Sequence, residues 1–257
     1  MLIQRRRRIP WPLLAAAVAL TLVSCATVRE PQPEPASSTP ASSARPIPTA
    51  TPSPAFDLSR FSIDDPASIW VVVNKLRPLQ PADYQPSLVP AAVRHVYAPL
   101  MRPEAAAALE RMFQAGAAEG AGEMQVQNSY RSYATQVAVH NRQVAQYGTA
   151  AADAQSARPG YSEHQTGYAL DIATVPNVCA VQECFGATPQ GRWLAANAYR
   201  FGFILRYPQG KQAVTGYIFE PWHFRYVGVE LATEMHRTGV TTLEEFFDLP
   251  PAPDYAP

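Results

Sequence analysis

Between Ser162 and Asp171 the chain reads SEHQTGYALD, which sets His164 and Asp171 seven residues apart with Gly167 between them. Much later, Glu220-Pro221-Trp222-His223 adds a second imidazole and a second carboxylate. These are the parts of an open zinc site: three N/O ligands, a fourth position free for water, and a carboxylate outside the ligand set to accept the water's proton. Glu220 and His223 are three apart and interrupted by Pro221, so they do not form the helical H-E-x-x-H arrangement. A strand end or tight turn is expected to project both into one cleft.

Arg131 is a further candidate, lying in Ser129-Tyr-Arg-Ser-Tyr133 where a strand is expected to give way to a helix. Its fork of donors suits a carboxylate or a developing oxyanion, and the Ser129 hydroxyl is placed to join it. Trp222 reads equally well as a wall of the cleft or as core. His95, His140 and His236 have no partner motif and are expected at the surface or in caps.

The elements that must position these groups follow from local pattern. Tyr168, Leu170 and Ile172 alternate with Ala169, Asp171 and Ala173, which puts Asp171 on the strand face opposite the bulky apolar residues. His164 precedes that strand in a bend that Gly167 relaxes. Met124 to Asn128 reads as a strand leading to Arg131, followed by a helix with Ser132 as N-cap and Thr135 to Tyr147 in its body. Ile69 to Asn74 reads as a buried strand, Tyr217 to Phe219 as a strand ending at Glu220, and Phe203 to Leu205 as a short strand. Helices are expected from Arg102 to about Ala118, from Thr188 to Gly202, over Val229 to Met235 and over Thr241 to Phe247. Cys179 and Cys184 bracket a short loop and are expected to form a local disulfide in an exported protein, with a soft metal site as the alternative.

The chain of 257 residues carries 21 Lys plus Arg against 21 Asp plus Glu, and this balance leaves no basic footprint for nucleic acid. Three cysteines exclude a disulfide-dense scaffold. Residues 1–25 read as a signal peptide, with Arg5 to Arg8 as the charged region and Leu13 to Val23 as an apolar region too short to span a bilayer comfortably. Leu22-Val23-Ser24-Cys25 resembles a bacterial lipobox, which makes Cys25 the expected lipidation site; the alternative is an ordinary secretory signal with an incidental cysteine. Residues 26–56, rich in Pro, Ser, Thr and Ala, are expected to be an extended tether, since they have too little apolar surface to offset the entropy of ordering. Residues 57–249 then form one domain, and the proline-rich tail 250–257 is expected to fray.

Taken together, Asn74-Lys-Leu-Arg-Pro-Leu79, Ser129 to Tyr133 with Gln136 after it, Pro159 to Asp171, and Glu220-Pro-Trp-His-Phe-Arg-Tyr-Val-Gly228 resemble the VanY-type zinc D-alanyl-D-alanine carboxypeptidases and their LD-carboxypeptidase relatives. Each motif alone is weak; their joint occurrence in order is specific. The resemblance implies an α+β fold of the DD-peptidase and hedgehog type, a small antiparallel sheet carrying the zinc site with helices packed on it. It implies Zn2+ held by His164, Asp171 and His223, with Glu220 as catalytic base. Arg131 becomes a contact to substrate or transition state, with Ser129, Gln136, Ser162 and Trp222 beside it in the pocket. The implied activity is removal of a terminal D-alanine from peptidoglycan stem peptides, of the D-Ala-D-Ala or the LD type. Alternatives are a D,D-dipeptidase or endopeptidase on the same substrate, and a non-catalytic peptidoglycan-binding lipoprotein. The expected setting is extracytoplasmic: a monomer held to the membrane by its lipid anchor and facing the wall.

Overall fold

The computed structural model describes residues 56–256. The expected signal segment with Cys25, and the tether up to residue 55, lie outside the described residues. Phe56, assigned to the tether, belongs to the domain: its ring stacks on Trp70 at 5.6 Å and meets Phe246 edge-on.

A two-residue ladder, β1 (Val89–Pro90) with β2 (Leu100–Met101), leads into helix α1 (Pro103–Ala118), which has Pro at its first turn as the sequence predicts. Then come β3 (Met124–Asn128), α2 (Tyr133–Tyr147) and α3 (Thr149–Gln155). The Ser132 side chain caps α2 by accepting from the Thr135 amide. A 3-10 turn, Glu163–Thr166, precedes β4 (Ala169–Thr174). After it follow α4 (Pro189–Asn197), β5 (Phe203–Leu205), α5 (Gln212–Thr215), β6 (His223–Tyr226), α6 (Val229–Thr238) and α7 (Leu243–Phe246). Among the described residues no helix is long and apolar enough to cross a membrane.

The main sheet is antiparallel with order β3-β4-β6-β5. Because side chains alternate across a strand, its two faces differ in kind. Val126, Leu170, Ile172 and Phe224 lie in one buried cluster with Leu109, Met112 and Phe113 of α1. The opposite face carries Asp171, His223, Ala169 and Arg225, with Asp171 paired to His223 and Ala169 to Arg225. A second cluster joins Trp70 and Val72 to Ile204, Leu231, Met235 and Leu243. This is the α+β arrangement expected from the sequence: helices packed on a small antiparallel sheet.

Three local expectations fail, each for a visible reason. Ile69 to Asn74 is not a sheet strand, although Trp70 to Asn74 are buried. Its carbonyls are claimed by arginine side chains instead of a neighbouring strand: Arg225 Nη2 donates to Ile69 O (3.0 Å) and Val71 O (2.9 Å), and Arg77 Nε donates to Val72 O (3.3 Å). Tyr217 to Phe219 is likewise irregular, with Ile218 N bonded to Ala154 O and Glu220 N to Tyr207 O. The strand begins instead at His223. The tail does not fray: Ala252 is buried and donates to Val214 O, and Tyr255 OH accepts from the Arg158 amide at 2.8 Å while its ring lies under the Arg158 guanidinium.

Candidate active site

Sheet register builds the centre of the site. Asn128, Asp171 and His223 are lateral neighbours on β3, β4 and β6, so their side chains rise in a row from one face. Asn128 Nδ2 donates to Asp171 Oδ2 at 2.9 Å, which leaves Oδ1 for the other side. There His223 Nδ1 lies at 3.2 Å and His164 Nε2 at 3.5 Å. The two imidazoles meet edge-on, with centroids 4.9 Å apart and planes at 85°. His164 comes from the 3-10 turn, which ends at Gly167 in the left-handed region, φ 73°. A Cβ at Gly167 would sit 2.7 Å from Leu88 Cδ2, so this turn needs glycine for space as well as for dihedral. His164 Nδ1 donates to Ser129 O at 2.7 Å, which fixes the tautomer and leaves the Nε2 lone pair facing Asp171.

The ligand-type atoms of His164, Asp171 and His223 all lie within 4.8 Å of one another. A tetrahedral zinc ion with bonds of about 2.0–2.1 Å requires ligand separations of about 3.3 Å, by simple geometry from the usual bond lengths. The 3.2 and 3.5 Å edges to Asp171 match that requirement and the edge between the imidazoles is within 4.8 Å, so the donor types and their convergence suit zinc.

The set opens into a cleft of about 310 Å3, also lined by Asn128, Arg131, Ser162, Glu163, Val181, Tyr207, Glu220 and Trp222. Glu220 Oε2 is 3.9 Å from His223 Nδ1. Burial, with the Asp171 charge adding to it, pushes the Glu220 carboxyl up to about 8 against the opposing pull of His223 and Arg131. Burial lowers His164, and Arg131 nearby acts in the same direction. Asp171 is buried, which raises it, but the two imidazoles hold it well below the usual carboxylate range. The half-buried Arg131 lies beside Asp171 and Glu220, and its guanidinium donates to Gln136 Oε1 at 2.8 Å.

Two of the expected pocket residues act from behind the cleft. Ser129 does not line it: its hydroxyl donates to Ala98 O, and its contribution is the backbone carbonyl that orients His164. Gln136, fully buried, does not line it either; it holds Arg131 with its oxygen while its amide nitrogen donates to Ala157 O. Ser162 and Trp222 do line the cleft, and Trp222 belongs to the main core cluster as well. His140, expected at the surface or in a cap, is buried and faces Asp153 at 3.5 Å. Cys179 and Cys184 are disulfide-bonded with Cα atoms 5.6 Å apart, and Val181 between them reaches the rim of the cleft.

Sequence reasoning missed the layer beneath the site. Glu163, Arg206, Arg225 and Glu244 form a fully buried ionic chain. Burial alone would raise the Glu163 carboxyl, but Arg206 and Arg225 hold it far below its ordinary range. One signal was present: Arg225 stands two residues after His223 on the same strand face, where a charge needs a buried partner.

The sequence profile of the VanY family, D-alanyl-D-alanine carboxypeptidase, matches residues 98–229. The putative carboxypeptidase YodJ of Bacillus subtilis (strain 168) is 40% identical over 193 residues, covering 73% of this chain and 70% of the relative. Among solved structures, the LdcB LD-carboxypeptidase superposes with a TM-score of 0.66 at 41% identity, over 71% of this chain and 87% of the other. The vancomycin-resistance D,D-pentapeptidase VanY from a VanB-type cassette, solved as a mutant in complex with Zn(II), gives a TM-score of 0.59 at 34% identity over 68% and 97% of the two chains. A profile match over half the chain, and these likenesses over most of the folded residues, place the chain in the VanY family of D-alanyl-D-alanine carboxypeptidases.

Proposed function

We propose that the chain is a zinc-dependent carboxypeptidase that removes the terminal D-alanine from peptidoglycan stem peptides. The observation that carries this reading is the convergence of two imidazoles, an aspartate, a separate glutamate and an arginine on one cleft. His164 Nε2, Asp171 Oδ1 and His223 Nδ1 would hold the metal. Zinc in that position supplies Lewis acidity towards the scissile carbonyl and lowers the pKa of water. Glu220 is the cleft carboxylate bound neither to the ligand set nor to an arginine, and it acts as the proton carrier, taking a proton from the attacking water and delivering it to the leaving amine. Arg131, held by Gln136, presents its remaining donors to the substrate's terminal carboxylate or to the developing oxyanion. Ser162 and Trp222 line the same cleft and contact the stem peptide.

The same reading places the folded domain, which begins at Phe56 and includes the packed C-terminal tail, outside the cytoplasm as the catalytic unit, joined by residues 26–55 to a diacyl anchor on Cys25. The lipobox-like Leu22-Val23-Ser24-Cys25 supports the anchor, and two acyl chains hold a protein to a bilayer far more firmly than one. The wall-directed relatives support the setting.

The decisive experiment is a product assay on synthetic tetrapeptide and pentapeptide stems, with and without a chelator, for the wild type and Glu220→Ala. Expected are chelator-sensitive release of D-alanine by the wild type, restored by zinc, and loss of turnover with retained zinc in Glu220→Ala. Release from the tetrapeptide alone assigns LD specificity, and release of a dipeptide assigns the dipeptidase reaction. An active Glu220→Ala protein overturns the assignment of the base.

A further inference from the structure

We propose that Glu163 is a positioning residue for His223: its Oε2 accepts the Nε2 proton of that imidazole, so that Nδ1 is the nitrogen offered to the metal. This rests on the metal reading above. His223 Nε2 and Glu163 Oε2 face each other at 3.6 Å, and both are fully buried without any other hydrogen-bond partner. Buried donors and acceptors are nearly always paired, and a movement of about 0.5 Å brings this pair within ordinary hydrogen-bond range.

The carboxylate has no freedom to do anything else. Its other oxygen, Oε1, accepts from Arg206 Nε at 2.8 Å and from Arg225 Nη1 at 3.0 Å. Those guanidiniums are themselves locked. Arg206 gives Nη1 and Nη2 to Glu244 at 2.8 and 2.7 Å, and Arg225 gives Nη2 to Ile69 O and Val71 O and Nε to Tyr226 O. Two arginines therefore fix the orientation of one glutamate and aim its free oxygen at one imidazole nitrogen. A purely structural ion pair does not require that oxygen to face a metal-ligand ring. A carboxylate behind a ligating histidine sets its tautomer and raises its basicity, and loss of such a partner typically weakens metal binding about 10- to 100-fold.

The test compares wild type, Glu163→Gln and Glu163→Asp for apparent zinc Kd, by competition with a fluorescent chelator, alongside urea unfolding. In the Gln variant the arginines claim the amide oxygen, so the NH2 group faces Nε2 and favours the wrong tautomer. Glu163→Asp keeps the charge between the arginines but withdraws the oxygen from His223. Expected for Glu163→Asp is a near-wild-type urea midpoint with zinc binding still weakened about 10-fold or more. An Asp variant that recovers zinc affinity together with stability shows a merely structural role and overturns the proposal. If Glu163→Gln fails to fold, nitrogen NMR of the zinc-loaded wild type decides: Nε2 protonated and Nδ1 metallated is expected, and the reverse overturns it. A wild type that takes up no zinc removes the metal reading itself, and this outcome is visible before any variant is made.

Discussion

Replacing Glu244 by Ala should be among the most destabilising single changes in the domain, although Glu244 touches no substrate. Both of its oxygens are engaged: Oε2 accepts from Arg206 Nη1 at 2.8 Å, and Oε1 accepts from Arg206 Nη2 at 2.7 Å and from Asn74 Nδ2 at 2.9 Å. Truncation leaves two Arg206 nitrogens and the Asn74 amide unpaired in the interior. It also turns a neutral set of two arginines and two glutamates into one with net positive charge. Breaking a buried ion pair from one side costs about 3–5 kcal/mol. For a domain of this size each kcal/mol moves Tm by about 2–4 °C, so a fall of roughly 6–20 °C is expected. The assay is urea unfolding with an unchanged m-value, which keeps the comparison one of stability alone. The double variant Glu244→Leu/Arg206→Met restores neutrality and should recover more than half of the loss. The pH dependence has a definite sign. Burial raises the Glu244 carboxyl, but Arg206 and Asn74 more than reverse this, so its folded pKa lies below the ordinary 4.5. Its contribution is present above that value and lost as pH falls through the folded pKa, so the double variant should have a flatter acid limb than the wild type. A Glu244→Ala protein within about 1 kcal/mol of wild type would falsify the reasoning.

Arg131→Lys removes the fork but keeps the charge. Charged hydrogen bonds are worth about 1.5–3 kcal/mol, so kcat/KM on the preferred stem peptide should fall about 10- to 150-fold with zinc content unchanged; an unaltered value excludes Arg131 from substrate contact. Gly167→Ala forces a left-handed φ on alanine and drives its Cβ against Leu88 and Arg102. A loss of about 1–3 kcal/mol is expected in urea, with weaker zinc binding because the turn carries His164; an unchanged midpoint contradicts the account of that turn. Cys25→Ser should move the protein from the membrane to the soluble fraction while leaving stem-peptide turnover intact, and continued membrane retention rules out the lipid anchor.

The residue types of the site and their local settings were readable because they depend on short-range pattern. Alternation over Tyr168 to Ala173 put Asp171 on the polar face, Gly167 marked the bend, and Ser132 marked the start of the helix behind Arg131. The same local reading gave false strands at Ile69 to Asn74 and Tyr217 to Phe219, since β-branched and aromatic residues signal burial as readily as sheet pairing. What turned those stretches from strands into irregular walls was long-range: arginine side chains took the carbonyls at Ile69, Val71 and Val72.

From the sequence alone, the chain determined that two imidazoles, two carboxylates and an arginine could serve one hydrolytic centre. Only the tertiary structure decided how they serve it. Antiparallel register made Asn128, Asp171 and His223 neighbours, and Ser129 contributed a carbonyl where its hydroxyl was expected. Gln136 went behind Arg131, and Glu163 came to face His223 from a clamp of two buried arginines. Hydrogen-bond direction and ionic pairing between residues far apart in the chain leave no periodicity in the sequence, so this supporting layer becomes visible only when the sheet is assembled.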